Sequence, residues 1–133
     1  MMIKPDAVER HLVGEILRRA ENAGLAVRGL RMMRLDAADA EEFYAVHAER
    51  PFYRSLVAYM SSGPMVAAIL EGESAIRRWR EVMGATDPAE AAPGTIRKDL
   101  GLGIEKNSAH GSDGPETAAA EIEFFRRRLD LRP

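Results

Sequence analysis

The segment Asn107-Ser108-Ala109-His110-Gly111-Ser112-Asp113 brings an imidazole, a glycine, a hydroxyl and a carboxylate together within seven residues. Histidine is neutral for much of the time near pH 7, so one ring nitrogen of His110 can act as a nucleophile while a hydrogen bond holds the other. Gly111 lets the chain turn sharply or approach a ligand closely, and Ser112 and Asp113 can orient the ring or a ligand's metal. Such a cluster is also compatible with an ordinary turn, so by itself it marks a place and not a reaction. The stretch around it, Ala85 to Pro115, shows little amphipathic periodicity and contains Pro88, Pro93, Gly94, Gly101, Gly103, Gly111 and Gly114. A segment of this kind inside a small domain is usually functional, and Thr95-Ile96-Arg97-Lys98-Asp99 within it reads as a packed, ligand-facing loop.

The elements that must position this site follow from the spacing of apolar residues. Met1-Met2-Ile3 leads into Lys4-Pro5-Asp6, and Pro5 disfavours helix at Lys4, so this is the end of a short strand. Leu12, Val13, Ile16, Leu17, Ala20 and Ala23 recur at helical spacing up to Gly24. Leu25 to Leu35 shortens to a strand with arginines on one solvated face. Asp36 is expected to cap a helix through Phe43, Tyr44 and Val46, ended by Arg50-Pro51; Phe52, Leu56, Val57 and Met60 continue the periodicity, giving a helical hairpin. Met65 to Leu70 is a buried strand by its length. Ser74 opens a helix over Ile76, Trp79, Val82 and Met83, and after the long loop, with a short strand in it, Gly114 and Pro115 start a last helix ending in Arg126, Arg127 and Arg128. Few strands alternating with helices predict an α+β sandwich, a small four-stranded sheet with helices over one face, rather than a doubly wound parallel sheet.

Composition narrows the function classes. The 133 residues suit one domain, 1–133, and a net charge of -2 supplies no general attraction for nucleic acid or membrane, so any anion site must be local. Cysteine is absent, which removes thiolate chemistry and disulfides. No apolar run can span a bilayer and no signal peptide is evident, so a cytoplasmic location is expected. No glycine-rich dinucleotide or Walker-type loop occurs.

Six separated motifs, Lys4-Pro5-Asp6, Arg50-Pro51-Phe52, Ser62-Gly63-Pro64, Gly84-Ala85-Thr86-Asp87-Pro88, Pro93-Gly94-Thr95-Ile96-Arg97 and Asn107-x-x-His110-Gly111-Ser112-Asp113, together resemble the nucleoside diphosphate kinase family. They stand in the family's order and spacing over almost the whole chain. The resemblance implies a ferredoxin-like α+β sandwich, with a four-stranded antiparallel sheet covered by helices, the hairpin as an insertion and the long loop before the last helix. It implies Mg²⁺-dependent, ping-pong transfer of the terminal phosphoryl group from a nucleoside triphosphate to a nucleoside diphosphate, through a phosphohistidine at His110. Lys4, Arg80 and Arg97 match the family's phosphate-site cations and Thr86 its phosphate-contacting hydroxyl; Asn107, with Lys4, matches the residues that hold the sugar hydroxyls. Tyr44 matches a tyrosine near the nucleophile, Glu121 the carboxylate that orients the imidazole, and Ser112 its support. Asp113 is expected to touch the metal only through water, the ion being held largely by phosphates. Phe52, with Leu56 and Ile104, is expected to stack the base; a flat face reads no hydrogen-bonding edge, so base selectivity should be low. Without the resemblance, Phe52 and Leu56 would read as hairpin core. Arg77, Arg78, Arg126, Arg127 and Arg128 read as solvated helix faces, and His11 and His47 carry no assignment.

The chain also departs from the family's pattern. Members usually carry several more residues before Lys-Pro-Asp, where Met1, Met2 and Ile3 stand here. A clipped first strand loses ladder bonds beside Lys4. A start placed too late in the chain is one explanation of it. A nucleotide-binding member with weak or lost phosphotransfer is therefore the alternative function, and a histidine phosphocarrier served by a partner protein is a second. Relatives assemble as hexamers, tetramers or dimers, and the Ala85 to Pro93 loop implies a homo-oligomer here.

Overall fold

The central strands are apolar on successive residues, and this decides the architecture. In the computed structural model, which describes residues 1–133, β1 (Met2–Ile3) lies between β3 (Met65–Glu71) and β4 (Ala109–His110), while β2 (Ala26–Met33) pairs with the other side of β3. The order is β2-β3-β1-β4, and every neighbouring pair is antiparallel. Met2, Met65 and Ala67 face one side of the sheet, and Ile3, Val66 and Ala109 the other, as the two-residue repeat of a strand requires. Because both sides are apolar, both need cover. Helices therefore lie on two faces, which corrects the expectation of one. On one face α2 (Val13–Asn22) and α5 (Ala75–Met83) bury Ile16, Ala20, Trp79 and Met83. On the other, the hairpin of α3 (Ala37–Phe43) and α4 (Tyr53–Met60), with α7 (Pro115–Leu129), buries Ala40, Leu56, Val57, Met60, Phe124 and Phe125.

Local chemistry sets the boundaries. The Asp36 side chain caps α3 by accepting from the Asp39 N–H at 2.7 Å. That helix stops at Phe43, earlier than the periodicity indicates, and a 3₁₀ turn over Ala45–His47 turns the chain toward Pro51, which bars helix at the residue before it. Gly114 takes the N-cap position of α7 with Pro115 in its first turn, as expected, and the Gly114 N–H donates to Thr117 Oγ1 at 2.9 Å. Ser74 differs: it stands in the left-handed region at φ 50 and makes no side-chain cap. No helix is long and apolar enough to cross a membrane.

Two short helices were not evident from periodicity. Pro5 opens α1 (Pro5–Glu9) instead of merely ending a strand, and Thr95 caps α6 (Ile96–Leu100) by accepting from the Lys98 N–H at 3.3 Å. The expected loop at Thr95-Ile96-Arg97-Lys98-Asp99 is thus largely helical; five residues are too few to show a repeat. Asp6, at the start of α1, ties this region together. Its buried carboxylate accepts from the Tyr59 hydroxyl, from Ser108 Oγ at 3.0 Å and from Arg10 Nη2 at 3.0 Å, while Arg10 also donates to the Leu100 carbonyl at 2.7 Å. The Lys4 N–H donates to the Ser108 carbonyl at 2.9 Å. Lys4 and the approach to β4 are therefore fixed relative to α4 and α6.

Candidate active site

His110 closes β4, with its carbonyl accepting from Trp79 Nε1 at 3.2 Å. Gly111 follows it because the Trp79 ring is so near: a Cβ there would stand 2.5 Å from Trp79 Cδ1. Its lack of a Cβ thus serves close packing against Trp79, and Gly111 also lines the cleft in front of His110. The His110 Nε2 lies 2.9 Å from Glu121 Oε1 on α7, and Ser112 Oγ donates to the other oxygen of the same carboxylate. An ionised carboxylate only accepts, so Nε2 carries the proton and Nδ1 the lone pair. Phe43, edge-on at 5.5 Å between ring centroids, packs beside the imidazole, and Tyr44 does the same at 6.3 Å.

Burial lowers the His110 pKa from its ordinary value, although Glu121 works against it, so the ring is neutral at neutral pH. Burial acts to raise the Glu121 carboxyl, but its hydrogen bonds from His110 and Ser112 outweigh that and hold it below the usual range. The pair is thus a neutral imidazole against a carboxylate.

In front of His110 lies a cleft of about 410 Å³. Lys4, Arg80, Thr86 and Arg97 line one part of its wall with Asn107 and Asp113; Tyr44, Phe52, Leu56 and Ile104 line another. Lys4 is 7% exposed, and burial first, then repulsion from Arg97, pushes its ammonium down to about 8. Arg97 is pushed down to about 10 by burial and by Arg80. Arg97 donates from Nη1 to the Gly84 carbonyl at 3.1 Å and from Nη2 to the Ala109 carbonyl at 2.9 Å. Arg80 donates to Asp113 Oδ1 at 2.8 Å. Asn107 Nδ2 donates to the Thr86 carbonyl at 3.0 Å, which fixes the orientation of its amide. Three buried polar side-chain atoms lack a protein partner, namely Tyr44 Oη, Arg97 Nε and Asn107 Oδ1, and all three belong to residues of this cleft. Buried polar groups are rarely left unpaired, so their convergence marks a surface shaped for a polar ligand.

Comparison with known proteins agrees. A sequence model described as nucleoside diphosphate kinase matches residues 1–130. The chain belongs to the nucleoside diphosphate kinase family. The nucleoside diphosphate kinase of Desulfatibacillum aliphaticivorans is 60% identical over 98% of this chain and 94% of its own, and that of Geobacter sulfurreducens is 55% identical over 98% and 95%. Among solved structures, the Aquifex aeolicus nucleoside diphosphate kinase superposes with a TM-score of 0.93 at 48% identity, covering 98% of this chain and 95% of that one. The halophilic enzyme of Halobacterium salinarum, determined in complex with CDP, gives 0.92 at 43% identity over 99% and 88%. The chain is accordingly a phosphotransferase of nucleoside triphosphates and diphosphates, and the antiparallel α+β sandwich matches these neighbours.

Against this kinase frame, the residues singled out in the sequence fall around one center. Lys4, Tyr44, Phe52, Leu56, Arg80 and Thr86 line the cleft. So do Arg97, Ile104, Asn107, His110 and Asp113. Glu121 and Ser112 lie behind the imidazole. Sequence reasoning missed Glu105 and His47, which also line the cleft, and Phe43 and Trp79, which hold the nucleophile's strand and ring. His47 had one available signal: three residues beyond Tyr44, it shares a helical face with it, and its ring stacks on Tyr44 with centroids 6.5 Å apart. Asp113 is 80% exposed and paired with Arg80, and no group of three or more acidic or histidine side chains gathers anywhere to hold a metal.

Proposed function

We propose that this kinase transfers the terminal phosphoryl group by a ping-pong route through phosphorylated His110. The Nδ1 lone pair attacks the γ-phosphorus of a nucleoside triphosphate, the bond to the bridging oxygen breaks, and the nucleoside diphosphate leaves with those electrons. A second nucleoside diphosphate reverses the step: its terminal phosphate oxygen attacks, the N–P bond breaks and the triphosphate departs. Glu121 holds the Nε2 proton and compensates the positive charge the ring acquires, and Ser112 holds Glu121. Such transfer depends mainly on alignment and on charge at the non-bridging oxygens. Arg80, Arg97, Lys4 and Thr86 supply the donors for those oxygens. Asn107 Oδ1 and the Lys4 ammonium take the sugar hydroxyls, the Tyr44 hydroxyl stands beside the transferring group, and Phe52, Leu56 and Ile104 receive the base with low selectivity.

Mg²⁺ fits a site that gathers no cluster of carboxylates if it arrives on the nucleotide: phosphates and waters would hold it, with Asp113 reached through water, and it would neutralise phosphate charge. We place the enzyme in the cytoplasm as a homo-oligomer on the same family grounds.

The observation that carries this reading is the imidazole itself: Nε2 is fixed at 2.9 Å by a carboxylate that is itself held, and Nδ1 has no protein partner beside a cationic cleft. The short first strand, which motivates the reading of lost transfer, still pairs on both sides, Met2 with Ala67 and His110 and Ile3 with Val66 and Ala109. Lys4 stays buried behind it. Incubation with ATP and Mg²⁺, followed by intact mass before and after mild acid, tests the proposal. One acid-labile phosphate on the parent, absent from His110→Ala and discharged by a second nucleoside diphosphate, is expected. Nucleotide binding without any phosphate on the protein would reject it.

A further inference from the structure

We infer that Ser108 is a positioning residue, held by a clamp of Asp6, Arg10 and Tyr59 in a strained turn that brings Asn107 into the cleft with His110. The assignment rests on the phosphotransfer reading above, in which Asn107 takes the sugar hydroxyls. Ser108 is fully buried and stands at φ 75, in the left-handed region that residues with a Cβ seldom enter. The Ala109 N–H donates to the Asn107 carbonyl at 2.9 Å, which closes a three-residue turn centred on Ser108. With a positive φ at its centre, this is the rare and strained form of that turn.

The turn changes which side chain meets the ligand. The ladder between β1 and β4 pairs Met2 with His110 and Ile3 with Ala109, and the Ser108 carbonyl extends it by accepting from the Lys4 N–H at 2.9 Å. In an unbroken strand residues two apart share a face, so Ser108 would stand beside His110 and Asn107 would point away. Instead Asn107 and His110 both line the cleft, and Ser108 does not. Its Oγ donates to Asp6 Oδ2 at 3.0 Å and accepts from Arg10 Nη2 at 3.2 Å. The Tyr59 hydroxyl donates to the other oxygen of Asp6 and accepts from the Asp6 N–H at 3.0 Å. Asp6, Arg10 and Tyr59 also stand outside the cleft, so their bearing on the ligand runs through the turn. A strained conformation persists where its surroundings over-determine it, and here both the hydroxyl and the carbonyl of the strained residue are held.

The test takes the ratio of kcat/KM for ADP to that for 2′,3′-dideoxy-ADP as phosphoryl acceptors, with GTP as donor. A ratio between two ligands is blind to the fraction of each variant that is folded, so a purely structural role would not move it. The analogue leaves Asn107 Oδ1 and the Lys4 ammonium without the sugar hydroxyls, and the parent is expected to favour ADP by at least about a hundredfold. Ser108→Ala keeps the Cβ that opposes a positive φ and loses the hydroxyl that holds it, so the ratio should drop about tenfold. Ser108→Gly loses the same hydroxyl, but glycine takes a positive φ freely, and the ratio should stay within about threefold of the parent. Tyr59→Phe removes only the far end of the clamp and should lower the ratio about threefold. A ratio unchanged in Ser108→Ala, or one that falls as far in Ser108→Gly, overturns the inference, because the hydroxyl would then be an ordinary buried hydrogen bond. Calorimetric binding of the two diphosphates to the parent, Ser108→Ala and Ser108→Gly reads the same pattern without turnover. That pattern in a protein that transfers nothing would reject the phosphotransfer reading and keep this one. Transfer through a phosphohistidine without the pattern would do the reverse.

Discussion

Replacing Glu121 isolates the charge behind the nucleophile. The Nε2–H to Oε1 bond is 2.9 Å long and lies at the base of a mostly buried ring. In the resting enzyme it joins a neutral imidazole to a carboxylate. As Nδ1 takes the phosphoryl group the ring becomes cationic, and the same contact becomes an attraction between opposite charges. A hydrogen bond to a charged group contributes about 1.5–3 kcal/mol, and each 1.36 kcal/mol is about tenfold in rate. Glu121→Ala should therefore slow phosphorylation by roughly 10- to 150-fold. Glu121→Gln, which keeps an acceptor without its charge, should slow it by about 5- to 30-fold. Rapid-quench measurement of phosphohistidine formation from ATP gives the rate, and the nucleotide dependence should change little because Glu121 touches the ring and not the ligand. The pH profile adds a signature. Burial lowers the His110 pKa and Glu121 opposes it, so losing the carboxylate leaves burial unopposed. The acid limb should then move to lower pH while the plateau falls. A plateau within twofold of the parent, or an acid limb displaced to higher pH, would refute the assignment; thermal melts of both variants separate it from unfolding.

Three further outcomes follow from the same geometry. Lys4→Met should raise the unfolding free energy at pH 7 by up to about 3 kcal/mol while abolishing efficient transfer, since the buried ammonium is held down to about 8 from 10.5 and each pH unit is worth about 1.36 kcal/mol. The sign is checked by the parent's own denaturation: between about 8 and 10.5 the unfolded chain keeps a proton that the folded chain has released, so stability rises with pH there, and Lys4→Met should lack that rise. Arg97→Lys loses the two-pronged hold on the Gly84 and Ala109 carbonyls and should cost about 1–3 kcal/mol in urea unfolding as well as kcat/KM; an unaltered midpoint would show the fork to be dispensable. Gly111→Ala drives a methyl to 2.5 Å from Trp79 Cδ1 and should lower stability by about 1–3 kcal/mol with a changed near-ultraviolet signal from that indole, whereas a parent-like melt would mean that Trp79 yields freely.

Much of this was legible in the residues because the sheet and the long helices are built on repeats that sequence displays. Met65 to Leu70 announces itself as a short unbroken apolar run, and the Ile16, Ala20 face of α2 by its period. The elements that escaped are short and held by single side chains. Pro5 at the start of α1 and Thr95 capping α6 carry the signal in one residue each, below what a repeat can reveal. Cover on both faces was implicit in β3, where Met65, Val66, Ala67 and Ala68 are all buried, since an unbroken apolar run has no solvated side. In the site, the motifs located Lys4, Phe52, Thr86, Arg97, Asn107, His110, Ser112 and Asp113, and the resemblance outside them added Tyr44, Leu56, Arg80, Ile104 and Glu121. Glu105 and Phe43 lie outside those motifs, and their positions depend on how the hairpin and the long loop fold against each other. The Asp6, Tyr59 and Ser108 cluster escaped for the same reason: its members are 53 and 102 positions apart from Asp6, and only the fold makes them neighbours.

The strand that carries His110 ends the sheet, and the outermost strand of a sheet is ordinarily a template on which a foreign strand can grow. β4 is a poor template. It is two residues long, and both of its carbonyl oxygens are already claimed, one by Arg97 from α6 and the other by Trp79 from α5. An invading strand would have to evict a cationic wall residue of the cleft and the indole beneath the nucleophile. The same two bonds that hold the imidazole in place therefore seal this border of the sheet, and misassembly there would cost the protein its chemistry before its solubility.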